Sequence, residues 1–104
     1  MELKKDSESD YLFVIGNETI GECSLSFSNG PYIDWIEIYE EFRHKGYFRQ
    51  MLEKIFEEFD IDTIEFYCKY SLVKMYEHYG AEIVREIDQR GSSEMILKYD
   101  NFHK

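Results

Sequence analysis

The chain has 104 residues, a formal net charge of −10 at pH 7 and a sequence pI near 4.7. Its 43% hydrophobic and 17% aromatic content argues against disorder, and its length predicts a single domain over 1–104 with one core rather than two. The charge argues against nonspecific nucleic-acid binding, because a polyanion is repelled everywhere except at a local basic patch; it suits a cationic partner such as an amine or a lysine-bearing protein, or serves solubility alone.

The opening "MELKKDSESD" lacks the apolar stretch of a signal peptide, and no segment approaches transmembrane length, so the expectation is a cytoplasmic protein away from membranes. "YLFVIGN" and "ETIGECSLSFSNG" read as two strands joined around Gly16-Asn17. Cys23, Leu25 and Phe27 alternate with Glu22, Ser24 and Ser26, the period of a half-buried strand. Asn29-Gly30-Pro31 marks a turn before a third strand, "YIDWIEIY", with Ile36 and Ile38 on one face and Trp35 and Glu37 on the other.

The period then changes. Phe48, Met51, Leu52, Ile55, Phe56 and Phe59 make one apolar stripe of a helix of about three turns, with Gln50, Glu53, Lys54, Glu57 and Glu58 opposite. "DTIEFYCK" alternates again as a strand. "SLVKMYEHYG" reads as a short helix with Ser71 as N-cap, Leu72, Met75 and Tyr79 on one face, and Gly80 at its end. "AEIVREID" and "SEMILKYD" form a hairpin around Arg90-Gly91. The predicted order is β-β-β-α-β-α-β-β, a mixed α+β sheet in which the strands flanking the long helix are parallel neighbours. The apolar faces of the C-terminal hairpin leave a homodimer open. Cys23 and Cys68 fit no metal spacing and are read as free thiols, and His44, His78 and His103 show no metal-ligand spacing either.

The most concentrated basic patch lies in "YEEFRHKGYFRQMLEKIFEEF", where Arg43, His44, Lys45 and Arg49 surround Gly46 at the start of the long helix. The first amides of a helix have no internal partner and carry the positive end of its dipole, and a glycine lets a ligand approach the backbone. Such a terminus is suited to phosphate. Solvated surface is the competing reading of the same residues.

"IYEEFRHKGYFRQML" resembles the acetyl-CoA pyrophosphate loop of the GCN5-related N-acetyltransferase (GNAT) superfamily, an apolar strand end followed by Arg/Gln-x-x-Gly-x-Gly/Ala and a helix. Arg43, Gly46 and Phe48 occupy its three named positions. "LVKMYEHYGAEIV" is similar to the family's helix-to-strand segment Tyr-Glu-Lys-x-Gly-Phe through Tyr76, Glu77, His78, Gly80 and Ala81. The resemblance covers nearly the whole chain. Phe48 departs from the small residue of the loop, Lys69 stands where many relatives have Asn, and Ala81 replaces Phe. The strand and paired helices that usually open the fold are read as missing.

The resemblance implies direct attack of an amine, on a protein lysine, a chain N-terminus or a small molecule, on the thioester of acetyl-CoA, with no metal. The amides from His44 through Lys45, Gly46 and Tyr47 to Phe48, with the charge of Arg43 and Arg49, would hold the pyrophosphate. The strand end from Ile36 through Ile38 to Tyr39 would pair with the pantetheine arm like an added strand. Tyr76 is the implied general acid, and Glu37, followed by Asp34, the candidate base. Two alternatives stand beside the enzyme. One is a binding or inhibitory module of the same fold, its cleft blocked by Phe48 and its target a partner protein. The other is an acyl-CoA sensor that transfers nothing.

Overall fold

The computed structural model describes residues 1–103. Seven strands make one sheet: β1 (Glu2–Lys5), β2 (Asp10–Ile15), β3 (Glu18–Ser26), β4 (Tyr32–Ile38), β5 (Thr63–Cys68), β6 (Glu82–Glu86) and β7 (Ser93–Lys98), in spatial order β1-β2-β3-β4-β5-β7-β6. The helices are α1 (Tyr47–Phe59), α2 (Val73–His78) and the single turn α3 (Tyr99–Phe102). The predicted order of elements is present, with one strand more at the start and the turn α3 at the end.

That strand corrects the expectation that the opening strand is missing. In β1 only Leu3 is buried, facing Phe13 across the β1–β2 ladder, and its other three residues are charged and exposed. A single apolar residue in four carries no readable period, so β1 exists because β2 offers an edge to pair with. No paired helices stand between β1 and β2, which are linked by a turn closed by Asp6 and Ser7 amides donating to the Asp10 carbonyl.

The stripe on α1 buries Met51, Leu52, Ile55 and Phe56, with Phe48 and Phe59 half-buried at its ends. Each fully buried side chain contributes about 1.5–3 kcal/mol relative to exposure. This helix packs on the sheet face that carries Cys23, Leu25 and Ile33 and the alternating residues Ile64, Phe66 and Cys68 of β5 and Met95 and Leu97 of β7. The Phe102 ring of α3 packs at a tilt against Phe56, centroids 5.7 Å apart, closing the same layer.

The reading of α2 needs correction in two places. Ser71 lies inside a 3₁₀ turn (Tyr70–Leu72) and caps nothing; α2 begins at Val73 after Leu72, without a side-chain cap. Leu72 and Met75 are exposed, and the buried residue of α2 is Tyr76, whose ring lies 4.5 Å from that of Phe66. The helix is short, so a neighbouring aromatic, rather than its own period, decides which side faces in.

The sheet is interrupted at its centre. β4 and β5 are parallel neighbours only at Tyr32↔Glu65 and Ile33↔Phe66. Beyond them β4 continues from Asp34 to Ile38 paired with β3 alone, and β5 continues through Tyr67 and Cys68 paired with β7 alone. The β3–β4 register shifts between Ser24 and Leu25, where Trp35 and Ile33 are successive partners and Asp34 is the extra residue. Such a bulge increases local twist, and it sits where the two halves part.

Candidate functional site

Five features converge at the split: the end of β4, the loop behind it, the first turn of α1, the end of β5, and α2. The loop leaves β4 at Tyr39, whose amide donates to the Ile20 carbonyl, and makes a 3₁₀ turn at Glu40–Phe42. Its last internal bond runs from the Arg43 amide to the Glu40 carbonyl at 3.2 Å. His44 then takes φ 64° and Gly46 φ 81°, both left-handed, which turns the chain sharply into α1. A Cβ added at Gly46 would meet nothing within 4 Å, so the glycine is required by its backbone angle and the space beside it is open.

Among the described residues, the amides of His44, Lys45 and Gly46 have no protein acceptor, and all three residues are exposed. With the unpaired first-turn amides of α1 they form a set of free donors at the positive end of a 13-residue helix. The charged residues divide. Arg43 folds back, its Nε donating to the Ile38 carbonyl at 2.9 Å, and ties the loop to the end of β4. His44 and Lys45 project from the loop into solvent. Arg49 is drawn out of the cradle: its Nη2 donates to the Phe102 carbonyl at 2.9 Å and its guanidinium lies 4.6 Å from the Phe102 ring centroid. The structure thus brings Arg43, His44, Lys45 and Gly46 together and spends Arg49 on α3.

Phe48 resolves the departure at the loop's third position. Its ring contacts Tyr76 at 5.9 Å and Tyr79 at 5.7 Å and packs against the core, while its backbone stays in the first turn of α1. Tyr47, half-buried, faces Phe42 at 6.5 Å.

Tyr76 stands between Phe66 and Phe48 and is 7% exposed. Burial, then the neighbouring Cys68 and Tyr79, push its phenol well above the ordinary value of 10.0, so it keeps its proton across the physiological range. Cys68, at the β5 end, is buried; its Sγ lies 3.3 Å from the Lys69 carbonyl, and burial raises its thiol to about 11. A thiol so placed is not a nucleophile at neutral pH.

On β4, Ile36 and Ile38 are half-buried opposite Cys23 and Gly21, and Glu37 projects from the other face opposite Glu22. Asp34, at the bulge, is exposed, and Ser26 donates to it at 3.4 Å. Tyr39 is half-buried beside Glu22; burial, then that carboxylate, raises its phenol. No group of three or more metal-binding side chains occurs among the described residues, and none of their helices is long and apolar enough to cross a membrane.

No family model matches the sequence, and no curated protein matches it. The backbone does find counterparts. Tetrahymena GCN5 superposes with a TM-score of 0.69 over 86% of this chain and 67% of its own, at 10% identity. The Escherichia coli ribosomal-protein-S18-alanine N-acetyltransferase superposes with a TM-score of 0.65 over 90% of this chain and 72% of its own, at 13% identity. The PaiA N-acetyltransferase of Thermoplasma acidophilum, in complex with coenzyme A, gives 0.65 over 86% of this chain and 60% of its own, at 20% identity. The fold is that of the GNAT acetyltransferases.

The chain spans about two thirds of these structures' length. Within the GNAT fold, the loop into α1 and the segment from α2 toward β6 carry the residues matched in the sequence. What the sequence did not signal is the bulge at Asp34, the bond from Arg43 to Ile38 and the capture of Arg49 by Phe102. Each depends on a partner distant in sequence or on register.

Proposed function

We propose that this protein is an acetyl-CoA-dependent N-acetyltransferase acting on an amine, with Tyr76 as proton donor and the 44–48 loop as pyrophosphate cradle. The observation that carries it is the coincidence of exposed, acceptor-free amides at His44, Lys45 and Gly46 with a gap between β4 and β5. The residues fit the co-substrate: the cradle offers donors and local positive charge in a protein of net charge −10, and Gly46 leaves its mouth clear. Acetyl-CoA would supply the activated acyl group.

The chain's own part is orientation and proton management. The edge of β4 from Ile36 to Tyr39, which has no β5 partner, would pair through its remaining amide and carbonyl groups with an extended amide-bearing arm, holding the thioester in the gap. A β4 amide near Ile38 would stabilise the carbonyl oxygen as it gains charge. Tyr76 would hydrogen-bond the departing sulfur. Its raised pKa makes complete transfer to a thiolate of pKa about 8.5 uphill, so its contribution is stabilisation of developing charge rather than early protonation. Glu37 would accept the amine proton from the far face of β4, directly or through water.

The blocked-cleft alternative is less favoured, because the Phe48 ring packs on Tyr76 and Tyr79 rather than standing over the loop amides. Thermal denaturation with acetyl-CoA or free CoA is the first test: a binder gains stability by mass action. Thiol release from acetyl-CoA, measured with and without an amine acceptor, is the second. A stabilised protein that releases no thiol with any amine would leave the sensor reading standing instead.

A further inference from the structure

The helices of this protein cover one face of its sheet only. On β4, β5 and β7 the opposite face carries Tyr32, Trp35, Glu37, Glu65, Tyr67 and Glu94, all exposed or half-buried. Trp35 is 44% exposed and Tyr67 48%, large apolar areas for side chains in the middle of a seven-stranded sheet. Aromatic and acidic residues alternate across it by register: Tyr32 stands beside Glu65, and Tyr67 beside Glu94, whose carboxylate accepts from the Tyr32 hydroxyl at 3.2 Å.

Acids outnumber cations on this face, and among the described residues none of them is in an ion pair within 4.0 Å. Glu22 and Glu37 are direct cross-strand partners, a like-charge pair that is unfavourable in isolation. Arg85 is the register partner of Glu94, yet among the described residues the only basic–acidic side-chain contact within 4.0 Å is His103 Nε2 to Glu53, at the α1–α3 side. A cation arriving on this face would relieve the Glu22–Glu37 repulsion and find ring faces at Trp35 and Tyr67. The depression on this face beside Glu65 and Glu94, lined also by Val84, Arg85 and Met95, has a volume of about 410 Å³ and is open to solvent on one side. Small ligands are held in concave pockets, whereas an open sheet face suits an extended chain.

We infer that the uncovered face of the sheet is the docking surface for a lysine-rich polypeptide segment. Asp34 and Tyr67 flank the point where β4 and β5 separate, so a lysine lying on this face stands at the opening of the gap. The inference rests on the acetyl-transfer reading for what then happens to that lysine; capture itself does not depend on it.

Trp35 is the chain's single tryptophan and reports directly on the face. The full chain is titrated with an oligolysine of about eight residues, long enough at about 3.3 Å per residue to cross the face, with its fully acetylated counterpart and with spermine. The expected result is a saturable change in Trp35 emission with oligolysine that weakens with added salt, and none with the acetylated peptide. Glu65→Lys/Glu94→Lys, on β5 and β7 and outside the proposed catalytic and CoA-binding residues, is expected to weaken oligolysine binding about tenfold or more while leaving the thermal shift with CoA unchanged. Spermine binding as tightly as oligolysine would overturn the choice of a polypeptide. An emission change unaffected by the charge reversals, or concentration-dependent dimerisation that itself protects Trp35, would overturn the site. Oligolysine binding with no CoA shift would sink the proposed activity and leave this inference intact.

Discussion

Tyr76 shows how one side chain serves packing and chemistry together. Its ring is clamped by Phe66 and Phe48, so the hydroxyl is held in place, and burial keeps it protonated. Tyr76→Phe preserves the clamp and removes only the donor. Folding is expected to be retained, with turnover of acetyl-CoA reduced about 10²-fold and its KM little changed; parallel steady-state kinetics and a denaturation curve check both. Gly46 offers a second test of the same kind. Its left-handed φ of 81° with open space beyond predicts that Gly46→Asn folds and binds CoA, because Asn tolerates that angle. Gly46→Glu places a carboxylate in the anion cradle, and calorimetry is expected to show CoA affinity reduced by tenfold or more.

At the scale of elements, the split depends on how β3 holds β4. Gly21 pairs with Ile38, and a Cβ there would lie 2.5 Å from the Glu37 carbonyl and 3.0 Å from Met51 Cε. Backbone cannot yield as a side chain can, so Gly21→Ala must push the end of β4 outward and carry the Arg43–Ile38 tie with it. We expect a loss of about 1–3 kcal/mol in denaturant unfolding, the range for overpacking, together with weaker CoA binding. Unchanged CoA affinity in a destabilised Gly21→Ala protein would show that the β4 end does not shape the site. The strong α1 stripe and the weak α2 period illustrate what is legible at this scale. Met51, Leu52, Ile55 and Phe56 are buried as their spacing predicts. On α2, a helix of six residues, Tyr76 rather than Leu72 or Met75 faces inward, because the Phe66 and Phe48 rings are there to receive it.

For the whole molecule, the buried acids set an alkaline limit. Burial raises Cys23 from 9.0 to about 12 and Cys68 from 9.0 to about 11, and it raises Tyr76, Tyr32 and Tyr39 above 10.0. The folded state holds these protons more tightly than the unfolded chain does. Stability from this source is therefore complete below the unfolded values and is lost as pH rises through 9.0 and 10.0 toward the folded ones. Denaturant midpoints are expected to fall steadily from pH 9.0 upward, with the Tyr76 phenolate appearing in ultraviolet absorbance only on unfolding. Tyr76→Phe should flatten the upper part of that fall, and an unaltered slope would contradict the assignment.

The sequence by itself determined the alternation of the strands, the α1 stripe, the acidic balance and the placing of Gly46 at a helix start, because these are set by neighbours within a few residues. The two short stretches around Arg43-x-x-Gly46 and Tyr76 to Gly80 carried the likeness to the GNAT fold for the same reason: tight local turns demand particular residues. Tertiary structure alone decided the rest. Charged β1 became a strand by borrowing an edge, Arg49 went to Phe102 rather than to the loop, and Phe48 turned onto Tyr76. The uncovered face likewise follows from which helices the fold lacks. These outcomes depend on partners far along the chain competing for the same side chain or hydrogen bond, a competition that periodicity does not record.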